Sequence, residues 1–159
     1  MLGTVGSEQK IDYAQSTGYH HVFLRDNFVE MVQTITARRG VDVVLDPSGE
    51  PTRSKSLSLL APFGRLIIFG YASGNPDVPV EPSVLMSGNK AVVGYSISAL
   101  NSTHPEHTAA TIRRVIDLIV KGHIHVDITG ILPLEQATVA HRHLESNTTT
   151  GKMLLQVQP

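Results

Sequence analysis

The chain has 159 residues, with 13 Lys and Arg against 14 Asp and Glu, 41% hydrophobic residues and 17% charged. That length and composition describe one globular domain able to bury a sizeable core, and they exclude a disordered chain. A net charge of −1 shows none of the basic surplus of a nucleic-acid binder, and the absence of cysteine excludes a disulfide framework, a thiolate zinc site and a cysteine nucleophile. No uncharged apolar run approaches about 18 residues, so no membrane span is expected. Met1-Leu2-Gly3-Thr4 lacks the basic start and apolar stretch of a signal peptide, and the expectation is a cytoplasmic α/β protein.

In chain order, the first β-rich run is Leu2–Val5, followed by a helix start at Ser7, and the second is His21–Leu24. Phe28, Met31, Val32 and Ile35 then fall at i, i+3, i+4 and i+7, with Asn27 and Glu30 at capping-box spacing and Gly40 beyond the end. A strand is predicted over Val41–Asp46, a short helical pattern on Leu57, Leu60 and Ala61, and a strand over 65–70. Val41–Asp46 and the Leu66-Ile67-Ile68-Phe69 run are nearly continuous in apolar residues, the pattern of strands covered on both faces in a parallel sheet. The irregular stretch 71–84 carries Gly74, Pro76, Pro79 and Pro82 and reads as a functional loop. Beyond it come a run over 91–96, a helix on Ile112, Val115, Ile116 and Ile119 ending near Gly122, and a weaker run over 124–131. A helical pattern on Leu134, Ala137, Ala140 or His141, and Leu144 precedes a final strand over 153–157. Strand and helix alternating in this way predict crossover connections and a doubly wound parallel sheet.

Ligands of an open α/β sheet bind beyond the carboxyl ends of its strands, so the residues just after each run carry the interest. They are Gly6-Ser7, Arg25, Asp46-Pro47-Ser48-Gly49, Gly70-Tyr71-Ala72-Ser73-Gly74 and Tyr95-Ser96. Turn chemistry alone favours Gly, Ser and Asp at such places, yet several loops share the pattern. Lys10, in the first turn after Ser7, is unfavourable against a helix dipole unless an anion binds there, and Arg25 is placed to join it. Two solvated surface cations are the alternative, and the residues alone leave both open. Asp46 before Pro47 reads as a turn former ahead of a ligand-contacting carboxylate, while Tyr71 and Tyr95 read as packing residues or as proton donors. His20/His21, His123/His125 and His141/His143 form close pairs without a third ligand in any known metal motif. No Gly-x-Gly occurs anywhere, so the dinucleotide fingerprint Gly-x-Gly-x-x-Gly is missing.

The stretches Leu2-Gly-Thr-Val-Gly-Ser-Glu-Gln-Lys10, Gly40-Val-Asp-Val-Val-Leu-Asp-Pro-Ser-Gly49, Leu57-Ser-Leu-Leu-Ala-Pro-Phe-Gly-Arg-Leu-Ile-Ile-Phe-Gly70 and Gly151-Lys-Met-Leu-Leu155 resemble, in order, the medium-chain dehydrogenase/reductase superfamily. The resemblance is to its zinc-free quinone oxidoreductase (zeta-crystallin-like) branch. It implies a Rossmann-type doubly wound parallel sheet over 1–159, a partial dinucleotide-binding domain that starts at the family's second strand. By that comparison the first strand, the glycine-rich loop and the GroES-like domain are absent, and segment 133–159 returns toward the absent catalytic domain. The resemblance further implies NADPH as cofactor. Gly6, Ser7 and Lys10 would lie at the adenosine ribose and its 2′-phosphate, with Arg25 in place of the family's usual Tyr or His. Pro47, Ser48 and Gly49 would line the cofactor channel, Phe69, Gly70, Tyr71 and Ser73 the nicotinamide side, and Tyr95 and Ser96 a further contact strand. Gly151 and Lys152 match a closing Gly-Lys near the cofactor.

The implied activity is hydride transfer from the nicotinamide to a small quinone or enone, in a homodimer paired along the 91–96 run, with no catalytic residue assigned and no metal. A zinc-dependent alcohol dehydrogenase relative, a polyketide enoylreductase domain, and a non-catalytic dinucleotide-binding or oligomerisation module are the alternatives. By itself the chain is expected to be catalytically inactive.

Overall fold

The computed structural model describes residues 1–157, and the chain forms two compact units, Met1–Ala99 and Leu100–Pro159. In the first unit, β1 (Leu2–Val5) pairs in parallel with β2 (His21–Leu24), Leu2 opposite His21 and Val5 opposite Leu24. A second parallel sheet has the order β3-β4-β5, built from β3 (Val41–Asp46), β4 (Leu60–Ile68) and β5 (Ala91–Gly94). The crossovers carry α1 (Ile11–Ser16), α2 (Phe28–Ile35), α3 (Thr52–Ser58) and α4 (Pro82–Gly88). The second unit takes the latter part of α5 (Ile97–Thr103), then α6 (Pro105–Val120), β6 (Ile128–Pro133), α7 (Ala137–Glu145) and β7 (Lys152–Gln156), with β6 and β7 parallel. This is the expected α/β architecture with parallel strands.

The core of the first unit forms where the 3.6-residue period of α2 meets β2. Phe28 and Val32 of α2 pack with Phe23 and with Leu59, and Leu2, Val29 and Val41 lie against them. Leu2 belongs to β1 and Val41 to β3, so one apolar cluster serves both sheets. Asn27 does cap α2, but its side chain makes no capping bond, and the capping box expected with Glu30 does not form.

Several boundaries differ from the sequence reading, each for a local reason. Leu60 and Ala61 lie in β4 and not on a helix with Leu57, because α3 stops at Ser58 and Pro62, without an N–H, cannot extend it. Pairing then jumps from Val41–Leu60 to Val43–Arg65, and the intervening bulge places Phe63 at a φ of 65°. The predicted loop 71–84 ends at Glu81, where Pro82 opens α4 at a position that needs no N–H donor. The run 91–96 pairs only through Gly94, the run 124–131 shifts to Ile128–Pro133, and the last strand is Lys152–Gln156.

The expectation that β3 is covered on both faces is overturned. Val43 is 54% exposed and Leu45 64%, and among the described residues β3 has a hydrogen-bonding neighbour on one edge only. The apolar stripe of α6, Ile112, Val115, Ile116 and Ile119, is likewise exposed. Leu66 of β4, by contrast, is 0% exposed. Leu66→Ala should therefore cost about 2–5 kcal/mol in urea unfolding, whereas Val43→Ala should stay within about 0.5 kcal/mol. Equal losses at the two positions would mean that the Val43 face is covered in solution.

Candidate functional site at the strand ends

In the first unit the carboxyl ends of the strands gather two clusters of polar loops. The first lies beyond β1 and β2. The Arg25 amide donates to the Val5 carbonyl at 3.1 Å, which ties the two strand ends together. The Arg25 side chain lies over Gly6, where a Cβ would stand 3.7 Å from its Nη1. Ser7, in extended backbone, opens a single 3-10 turn over Glu8–Lys10, and its carbonyl accepts from the Lys10 amide at 3.2 Å. Lys10 ends that turn, half-buried, and caps α1, so the helix starts three residues later than one capped at Ser7 and Lys10 precedes its first turn.

The second cluster is built on Asp46, the buried last residue of β3. Its Oδ1 accepts from the amides of Ser48 at 2.9 Å and Gly49 at 3.0 Å, the turn-forming role expected of an Asp before Pro47. Its Oδ2 accepts from Arg53 Nε at 2.7 Å, and the Arg53 side chain is only 7% exposed. The β3–β4 pairing continues past the strands as a main-chain zipper. Phe69 N donates to Asp46 O at 3.1 Å, Ala72 N to Pro47 O at 3.1 Å and Ser73 N to Ser48 O at 2.8 Å. Gly70 is required there, since a Cβ at that position would overlap the Pro47 carbonyl oxygen. Gly49 sits at a φ of 87°, and its missing side chain leaves the space against Ser73 Oγ.

Arg53 also donates from Nη2 to the Gly70 carbonyl at 3.0 Å and from Nη1 to Asp77, and its guanidinium carbon lies 5.7 Å from the centre of the Tyr71 ring. Burial pushes the Arg53 guanidinium pKa down, but the Asp46 hydrogen bond and the charges of Asp46, Asp77 and Glu50 outweigh it, leaving the net pKa above its ordinary value. A pKa raised on folding stabilises the protein below the unfolded value and ceases to do so as pH rises through the folded one, so this ion pair persists throughout neutral pH.

Of the residues singled out in the sequence, Pro47, Ser48, Gly49, Gly70, Tyr71 and Ser73 are thus brought together, with Phe69 at their base, and Gly6, Ser7, Lys10 and Arg25 form the other cluster. Tyr95 follows β5, its amide donating to the Ile68 carbonyl at 2.8 Å. The Ser96 hydroxyl accepts from the Ala99 amide at 3.2 Å, at the start of α5. The exposed Tyr71 donates its hydroxyl to the Asn75 carbonyl and so closes the loop between them. In the second unit, Gly151 at a φ of 65° opens β7, and Lys152 N donates to Asp127 O at 2.7 Å. Sequence reasoning missed Arg53, Asn75 and Asp77. The available signal was a lone Arg in a Ser- and Thr-rich helix seven residues after Asp46.

Parallel strands with glycine-lined polar loops at their carboxyl ends define an α/β protein of the parallel-sheet class. The chain belongs to the zinc-binding dehydrogenase family, whose model matches residues 17–155, within the medium-chain dehydrogenase/reductase superfamily. It is 35% identical over 160 residues to a quinone oxidoreductase of Salmonella typhimurium, covering 98% of this chain and 48% of that protein. To a 2-haloacrylate reductase of a Burkholderia species it is 30% identical over 158 residues, covering 98% of this chain and 47% of that one. The structure of Escherichia coli quinone oxidoreductase complexed with NADPH superposes with a TM-score of 0.82 at 32% identity, over 98% of this chain and 49% of that chain. The chain spans about half the length of the curated relatives it matches. The zinc of the family name finds no donor set here, because the sequence has no cysteine and no three His, Asp or Glu gather around a common point among the described residues.

Removing Asp46 leaves Arg53 charged and buried beside a broken turn. Asp46→Ala should cost about 3–5 kcal/mol in chemical unfolding, and the double variant with Arg53→Met should recover part of that loss. Strict additivity of the two variants would show that the pair is not coupled.

Proposed function

We propose that the protein is an NADPH-dependent oxidoreductase of the quinone or enone reductase type, and that residues 1–159 form its cofactor-binding portion, with 133–159 leading back toward a catalytic domain. The observation that carries this reading is the pair of loop clusters at the carboxyl edge of parallel strands, one basic and one glycine-lined, where an open sheet binds its ligand. The Salmonella and Escherichia coli quinone oxidoreductases support it, the latter by its NADPH complex.

The residues fit such a dinucleotide. Gly49 and Gly70 let the two loops approach main chain to main chain, Gly49 beside Ser73 Oγ and Gly70 against the Pro47 carbonyl, and Gly6 lies beneath the Arg25 guanidinium. In this reading Gly6, Ser7, Lys10 and Arg25 hold the adenosine ribose and its 2′-phosphate, with two cations available to one dianion. Pro47, Ser48 and Gly49 line the channel, Phe69, Gly70, Tyr71 and Ser73 flank the nicotinamide, and Tyr95 and Ser96 add the β5 end. Bound NADPH supplies the hydride that reduces an electron-poor alkene or quinone, while the chain contributes orientation and electrostatics. No residue of the chain is assigned a catalytic role. The protein works in the cytoplasm as a homodimer, paired through the free edge of β5.

Lys10→Ala with Arg25→Ala should weaken NADPH by about 1.5–3 kcal/mol per cation and leave NADH nearly unchanged in a fluorescence titration. Equal losses for both cofactors would show that the two cations act elsewhere. For the dimer, Val93→Lys on the exposed part of β5 should shift sedimentation toward the monomer, and an unchanged profile would place the interface on another surface.

A further inference from the structure

The Arg53 guanidinium joins three segments that the backbone keeps apart. Nε reaches the end of β3 at Asp46, Nη2 reaches the Gly70 carbonyl just past β4, and Nη1 reaches Asp77 in the loop beyond. The three acceptors use the planar fork in three directions, which the single ammonium of a lysine cannot do. The Asp46 contact is buried and the Gly70 contact partly so, and the zipper of Ala72 and Ser73 onto Pro47 and Ser48 secures the loop as far as Asn75, whose Nδ2 donates to the Glu50 carbonyl at 3.0 Å.

Asp77 is different. Its side chain is 60% exposed, and between Asn75 and Glu81 its bond to Arg53 is the one polar tether among the described residues. Residues 71–81 are all exposed, with Val78 at 55% and Val80 at 37%, so apolar packing secures the segment only lightly. An ion pair with one end in solvent adds little to global stability. Its effect is local: it decides how far the segment 76–81 is held beside the joined loops 46–49 and 69–73.

We propose that Arg53 is a positioning residue of the cofactor groove, and that its bond to Asp77 holds segment 76–81 in place along the nicotinamide side. This role rests on the cofactor reading given above. Arg53 touches neither cofactor nor substrate in it and acts through the loop. Breaking the tether lowers the fraction of molecules with the loop in the binding position, and apparent affinity falls in proportion to that fraction. The loss falls on ligands that reach the nicotinamide side and spares those confined to the Gly6, Lys10 and Arg25 cluster.

The experiment compares wild type with Asp77→Asn and Arg53→Lys, titrating each with NADPH and with adenosine 2′,5′-bisphosphate, and measuring backbone order parameters at Val78 and Val80. For Asp77→Asn the expected result is NADPH binding weakened about 3- to 10-fold, unchanged bisphosphate binding, a melting temperature within about 2 °C of wild type, and order parameters falling toward about 0.6. Arg53→Lys should show the same split between the two ligands, with an additional loss of stability from the inner contacts. Unchanged order parameters in Asp77→Asn, or equal weakening of both ligands, overturns the positioning role. A wild-type protein that binds neither ligand overturns the cofactor reading and this role together, whereas binding of both with no split in either variant overturns the role alone.

Discussion

A carboxylate buried at the end of a strand must be neutralised and hydrogen-bonded in place, and Asp46 meets that demand with both oxygens. One oxygen is committed to the amides of Ser48 and Gly49 and the other to Arg53. This single constraint shapes the turn after β3 and fixes where α3 begins to run back. It also sets a cation between the two loops that end β3 and β4. A buried ion pair of this kind contributes less to net stability than to uniqueness of arrangement, because desolvation offsets much of the attraction. Here the unique arrangement is that of two loops at the carboxyl edge of the sheet.

The parallel α/β architecture was legible because period and punctuation agreed. The 3.6-residue spacing of Phe28, Met31, Val32 and Ile35, closed by Gly40, specifies α2, and the apolar runs specify β1, β2 and β3 to the residue. Agreement failed where one proline or one bulge decided the outcome. Leu57, Leu60 and Ala61 carry a helical spacing, yet Pro62 and the left-handed Phe63 turn the last two into strand. The burial of β3 was misjudged for another reason. An apolar strand states that it can be covered on both faces, not that a neighbour within the described residues covers it.

The loops at the strand ends were legible as loops, because glycine and small polar residues recur after each parallel strand. Their internal wiring was not. Arg53 pairs with Asp46 across one turn of chain and with Asp77 across a loop containing two prolines, and no local pattern announces a contact that depends on the β3–β4 register. Tyr71 carried a chemical possibility in sequence, and its hydroxyl bonds the Asn75 carbonyl. Ser96 similarly spends its hydroxyl on the start of α5. In both cases the side chain satisfies its own backbone neighbourhood, a competition that composition cannot foresee.

The meeting of Gly70 with the Pro47 carbonyl oxygen has a consequence for how this edge tolerates change. The join between the two loops is main chain: the carbonyls of Asp46, Pro47 and Ser48 accept from the amides of Phe69, Ala72 and Ser73. Peptide groups are common to every residue except proline at the donor positions, so these main-chain bonds do not themselves depend on which side chains stand at 48, 72 and 73. Position 70 has no such freedom. The join is brittle at its glycines: any side chain at 70 would push the two loops apart, and one at 49, where φ is 87°, would meet Ser73 Oγ.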